Sequence, residues 1–239
     1  MTVRFARFRC LAAAAAWVLL GACASQRPVP DLDLSAARFP PVAAEYRTTR
    51  TFQDGKREQS TQTRWRLWRD IDRIVTENLS AHTGEVWQRD GAVLFQQRLF
   101  HDDRKSVDYQ MDDLRLGGAD LSWPHQSLLI SPELLDRLHL KSAEWRANYP
   151  YRRYVGEVNG AAWDITLRMD RCLPVIIQRI GGGTMERTEL LAVHELSAAP
   201  WAPVAATDYE HIDFTDLGDR QDDPFVARVQ DQLGRPHTH

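Results

Sequence analysis

Asn159-Gly160-Ala161-Ala162-Trp163-Asp164-Ile165-Thr166-Leu167-Arg168-Met169 is the stretch that decides the fold. Trp163, Ile165, Leu167 and Met169 alternate with Asp164, Thr166 and Arg168. Successive side chains of a strand point to opposite faces, so this run puts its apolar residues on one face and its polar residues on the other. The Asn-Gly pair ahead of it accepts the positive backbone angles that a two-residue hairpin turn needs. One strand of a sheet with a buried face, entered through a tight turn, is the unit this stretch defines.

The same period governs the chain from Ala44 onward. Val107, Tyr109 and Met111 alternate with Asp108 and Gln110, and Val93, Phe95 and Leu99 share one face. Asp54-Gly55 and Asp90-Gly91 add two more hairpin dipeptides between strand-like runs. The pattern predicts strands near 44–53, 57–69, 71–79, 84–90, 92–100, 105–111, 143–158, 161–169, 174–181 and 185–196. Helices are few. Ser131 can cap one, with Pro132 in its first turn, Glu133 beside its positive end and Leu134, Leu135 and Leu138 on its apolar side. A second starts at Asp223-Pro224, carries Phe225, Val229 and Leu233 on one face, and ends at Gly234. The expected fold is mainly β with a minor α component: a curved antiparallel sheet or half-barrel of about ten strands with two or three short helices. A sheet that wide with one apolar face must curl or be covered.

The chain has 239 residues, enough for one large domain with extensions, and shows no internal repeat or second domain boundary. Its net charge is -3, and the first 22 residues hold three arginines and no acid, so the remainder is more negative still. Phosphate binding needs clustered positive charge, which argues against a nucleic-acid partner.

The amino terminus reads differently. Arg4, Arg7 and Arg9 precede an apolar run from Cys10 to Leu20. Those eleven residues would reach about 16 Å as a helix, roughly half the hydrocarbon thickness of a bilayer. That length suits a signal-peptide core rather than a permanent span. The run closes on Leu20-Gly21-Ala22-Cys23, which resembles the lipobox of bacterial lipoproteins. The resemblance implies cleavage between Ala22 and Cys23, lipidation of Cys23, and attachment to a membrane through that lipid. Ala24 rather than Asp follows the cysteine, which in such lipoproteins implies export to the outer membrane, on its periplasmic face. Cys172 would then be the only thiol left free, so no intramolecular disulfide is possible.

The domain organisation expected is therefore a signal peptide over 1–22, the lipidated cysteine with a proline-rich tether over 23–43, one β-rich domain with a carboxyl-terminal helix over 44–234, and a polar tail over 235–239. Pro28, Pro30, Pro40 and Pro41 make the tether extended and fairly stiff, a spacer between bilayer and sheet. The lipobox, the strand-and-turn pattern and the helix at Pro132 together resemble the half-barrel of the LolA/LolB class of lipoprotein carriers and receptors. That resemblance implies a curved sheet with helices over its open mouth.

Candidate chemistry is sparse. His211, Asp213 and Asp216 could offer ligands to a hard cation, but the spacing is not that of a calcium loop and no glutamate closes it. They read more simply as turn and cap residues. Gly181-Gly182-Gly183 precedes a strand pattern rather than a helix, so it reads as a hairpin bend, not a phosphate cradle. Tyr151 and Tyr154 fall on opposite faces of one strand and cannot line one site, Arg152 and Arg153 read as a solvated edge, and Trp163 reads as core. Cys172 reads as a buried, inert thiol between two strands. There is no catalytic constellation, so no catalytic residue, metal or cofactor is assigned. The expectation is a non-enzymatic envelope protein carrying or receiving an apolar ligand such as an acyl chain. The alternative is an interaction scaffold for an envelope partner, with no pocket, and an envelope enzyme stands behind both.

Overall fold

The computed structural model describes residues 27–33, 38–54, 57–220 and 222–233. The signal segment, Ala22, Cys23, the turn at Gly55, Gly234 and the polar tail lie outside the described residues.

Among the described residues, twelve strands form one open, curved sheet. The first six are β1 (Val42–Asp54), β2 (Arg57–Arg69), β3 (Arg73–Asn78), β4 (Thr83–Asp90), β5 (Val93–Phe100) and β6 (Lys105–Tyr109). Three short helices follow: α1 (Met111–Leu116), α2 (Trp123–Leu128) and α3 (Pro132–Arg137). Then come β7 (His139–Arg146), β8 (Tyr149–Val158), β9 (Ala161–Arg168), β10 (Leu173–Gly181), β11 (Thr184–His194), β12 (Glu210–Asp213) and α4 (Pro224–Leu233). The spatial order is β12-β6-β5-β4-β3-β2-β1-β11-β10-β9-β8-β7. Two meanders, β1 to β6 and β7 to β11, are thus joined by the long antiparallel pairing of β1 with β11. Of these strands only β12 breaks the antiparallel rule, lying parallel to β6.

Several expectations need correction. The strand predicted over 143–158 is a hairpin, β7 and β8, turning at Ala147 (φ 46°) and Asn148 (φ 69°). Without glycine, that turn left no mark in the sequence. Met111 belongs to α1, not to a strand, because the Gln110 amide and the Asp113 carboxylate close a capping box there. The count of helices rises with α1 and α2, and β12 is a strand of only four residues. The sheet domain begins at Val42, with Phe39 already buried ahead of it.

The sheet is also buried on two faces rather than one. Its inner face carries the helices and packs Tyr46, Leu67, Ile74, Trp87 and Leu94 against Leu114, Trp123, Phe225 and Val226. Its outer face carries Ala43, Trp68, Val75, Val86 and Leu99 under Leu196, Ala199, Trp201 and Ala206. This outer cover has no strand of its own until β12. It is pinned where Glu77 accepts the Val204 amide at 2.5 Å and Arg66 lies 4.6 Å from the Trp201 ring centre. Each large aliphatic side chain so buried contributes about 1.5–3 kcal/mol.

Arg69 is the one fully buried guanidinium among the described residues, at 0% exposure. It donates to Pro40 O at 2.9 and 3.2 Å, to Ser127 O at 2.5 Å, to Cys172 O at 3.0 Å and to Arg171 O at 2.5 Å. All five of its N–H donors are thereby used. Burial pushes its pKa down to about 10, and the cation is held by carbonyl dipoles rather than by a carboxylate. It fastens the entry to β1, the end of α2 and the β9–β10 turn to one another.

Candidate ligand-binding site

Strand pairing places Thr48, Trp65, Thr76, Trp87 and Thr188 on the inner face, side by side across five strands. With α2 above them they enclose a cavity of about 310 Å³, completed by Ile74, Leu129 and Ile177. The floor is rigid. Trp65 stacks on buried Tyr46 with ring centres 4.5 Å apart. The Trp65 indole donates to the Thr48 hydroxyl at 3.0 Å, and Thr48 and Thr188 share a hydrogen bond of 2.8 Å. Tyr46 donates to Pro174 O at 3.1 Å, and burial pushes its phenol pKa upward. The wall is mixed: threonine hydroxyls, Asn78, Glu85, Arg98, His125 and Gln126 stand beside the indoles. A ligand seated here meets aromatic faces and hydroxyl groups together, so a purely apolar site is not what the sequence built. The volume lies at the low end of the range for small-molecule sites.

A second cavity, of about 340 Å³, lies next along the same face. Ile177 borders the first cavity, and Arg179, two residues on along β10, borders the second. The chain between α2 and α3 separates the two, with Leu129 on one side and Ser131 on the other. The second cavity is walled by Trp163, Arg179, Arg137 and Glu133. Trp163 is half-buried: it packs against the core around Ile165 and Leu167, in line with the sequence reading, and also walls this cavity, and its buried Nε1 has no hydrogen-bond partner among the described residues. A buried donor left so costs about 1–3 kcal/mol.

Beyond these cavities the inner face is filled by the chain itself. Val29 and Leu32 pack with Tyr154, Ile165, Leu167 and Leu135. Arg152 holds that segment in place: it donates to Pro30 O at 2.8 Å and Val29 O at 3.3 Å and pairs with Asp31. Trp145 donates to Arg27 O at 2.7 Å. The described part of the proline-rich stretch is therefore seated on the sheet. Arg152, with 14% of its side chain exposed, is a clamp and not a solvated edge, whereas Arg153 faces outward to Asp164 at 2.5 Å.

The other sequence candidates lie elsewhere. His211 projects from the outer face and bonds Asp108 and Ser106, both at 2.9 Å, while Asp213 ends β12 and Asp216 sits in the 3-10 turn Phe214–Arg220. Among the described residues no three His, Cys, Asp or Glu side chains form a metal-holding group. Gly182 (φ 59°) and Gly183 (φ 73°) make the β10–β11 hairpin turn, as read. Cys172 sits half-buried in the β9–β10 turn, where burial pushes its thiol pKa up and so disfavours the thiolate. Sequence reasoning missed the threonine row and the two arginines. The threonines and Arg179 follow the same period of two, read only for its apolar members, whereas Arg137 closes α3.

No protein-family model and no curated protein matches this chain. Among solved structures, an uncharacterized conserved protein from Thermus thermophilus matches over 75% of this chain and 94% of its own, at 10% identity and a TM-score of 0.45. A LolA superfamily protein from Nitrosomonas europaea matches over 69% and 90%, at 10% identity and a TM-score of 0.29. PNGF-II matches over 74% of this chain at 12% identity and a TM-score of 0.40, and this chain spans about a third (32%) of its length. Likeness this distant carries no functional assignment. Such an assignment has to come from the residues of this chain.

Proposed function

We propose that this chain is a lipid-anchored protein of the bacterial envelope, attached through Cys23 to the periplasmic face of the outer membrane, which acts by holding an amphipathic, largely apolar ligand on the inner face of its sheet. The observation that carries this reading is the cavity between Trp65, Trp87, Ile177 and Leu129, with α2 as its roof. A covering helix of six residues leaves space that longer helices would fill. The stacked floor keeps that space from collapsing. The lipobox Leu20-Gly21-Ala22-Cys23 supports the address.

The described fold begins at Arg27, so a soluble form lacking residues 1–23 keeps every contact given above. Purified from a periplasm and examined by native mass spectrometry, that form should carry a lipid-sized adduct. A clean apo mass, with no uptake of added fatty acid, would contradict a carrier. For the anchor, Cys23→Ser in the full chain should abolish labelling by radioactive palmitate; undiminished labelling would refute lipidation at that residue.

A further inference from the structure

We infer that the second cavity is an anion site for the headgroup of the ligand, and that the whole site takes a single-chain anionic amphiphile, with a phosphate or carboxylate head between Arg137 and Arg179 and its tail in the cavity beside Trp65. This inference rests on the carrier reading above and adds the ligand's charge.

Arg179 faces inward from β10, opposite Trp163 of β9, with its guanidinium carbon 5.9 Å from that ring centre. Arg137, exposed at the end of α3, donates among the described residues only to the Asn159 side-chain oxygen, at 3.2 Å. Among the described residues neither guanidinium makes an ion pair. The contrast with their neighbours is informative. Arg47 pairs with Glu189, Arg50 with Glu186, Arg153 with Asp164 and Arg168 with Asp170. Surface arginines of this sheet are generally matched to carboxylates, and these two wall one cavity without that match.

The cavity holds one carboxylate, Glu133, but it is engaged: it accepts the Ser131 hydroxyl at 2.5 Å, and that bond holds its pKa below the usual carboxylate range. Two cations against one occupied anion leave the wall positive. Guanidinium groups with spare donors recognise carboxylate and phosphate oxygens in a fork geometry that lysine cannot copy. A free oxyanion would satisfy those donors too. The hydrocarbon half of the proposal comes from adjacency: Ile177 and Arg179 are two residues apart on one strand face, so a tail from a head at Arg179 runs over Ile177, beneath the chain that separates the two cavities, to reach the aromatic one.

The test is titration calorimetry on the soluble form with decyl phosphate, decanol and inorganic phosphate, each below its aggregation limit. Decyl phosphate should bind about tenfold more tightly than decanol, the effect of about 1.4 kcal/mol. Arg137→Gln/Arg179→Gln should erase that preference and leave decanol binding and the melting temperature of the free protein unchanged. Arg179→Lys should restore only part of it. Equal binding of decyl phosphate and decanol to the unaltered protein would overturn the anion site while leaving the carrier reading intact. Inorganic phosphate binding as tightly as decyl phosphate would overturn the joined head-and-tail site in favour of a free-anion pocket. If neither amphiphile binds, the carrier reading itself fails and this inference with it.

Discussion

The two ends of the inner face were built from the same strand pattern and finished in opposite ways. At the β7–β9 end, Val29, Leu32, Leu135, Ile165 and Leu167 close on one another, and the chain's own amino-terminal segment supplies part of the filling. At the β1–β5 end, threonines alternate with tryptophans and a six-residue helix spans the gap, leaving a cavity of about 310 Å³. Interiors normally pack to crystal-like density, so a persistent hollow needs rigid walls. The Tyr46–Trp65 stack and the Thr48–Thr188 bond provide them. The β7–β9 end closes around Ile165 and Leu167 and opens toward the second cavity beside Val158 and Trp163, whereas the β1–β5 end packs Leu94 and Leu114 as core beside a cavity lined by Trp65 and Trp87.

Arg69 sits between these ends and should show the largest effect. Arg69→Met leaves buried carbonyls of Pro40, Ser127, Arg171 and Cys172 without a donor, and urea denaturation should record a loss of about 3–5 kcal/mol. Next, the ends should differ in tolerance. Ile165→Ala at the filled end should cost about 2–5 kcal/mol. Thr63→Val at the hollow end should change stability by less than about 0.5 kcal/mol. Similar losses at both sites would break the comparison.

Leu32→Ala should have a smaller effect, about 1 kcal/mol, because that side chain is only half-buried on the filled end. The smallest effect concerns pH. Burial lowers the pKa of His101, which bonds Tyr209 at 2.9 Å. A histidine whose folded pKa lies below its unfolded value favours folding while neutral. Its contribution is present above about pH 6.5 and is lost as pH falls toward the folded value. Asp164, lowered chiefly by the Arg153 hydrogen bond, adds stability that is lost only at more acid pH. Denaturant midpoints should therefore fall on acidification in two stages, and His101→Asn should flatten the first.

Period-two alternation made most of the sheet legible, and the Asn159-Gly160 and Gly182-Gly183 turns were readable because glycine marks positive φ. The β7–β8 hairpin was not, because Ala147 and Asn148 reach the same angles under tertiary constraint. The outer burial was hidden for a different reason. Leu67, Trp68 and Arg69 are consecutive and all buried, so alternation fails where both faces are covered. The cavity was hidden because a space is made by what the covering elements lack, and α2 went unread although Ser122 caps it and a proline sits in its first turn, as Ser131 and Pro132 do for α3. Arg152 and Arg179 look alike in the sequence; only their partners in the fold separate a clamp on the amino-terminal segment from a cation without a carboxylate, and Arg137 joins the second only through the placement of α3.

The most direct measurement is quenching of tryptophan fluorescence in the soluble form by a fatty acid brominated along its chain. A ligand in the hollow end places bromine against Trp65 and Trp87, so quenching should saturate and should largely vanish in Trp65→Phe/Trp87→Phe. Absent quenching, or saturable quenching that survives that double change, would contradict a ligand held at this end of the sheet.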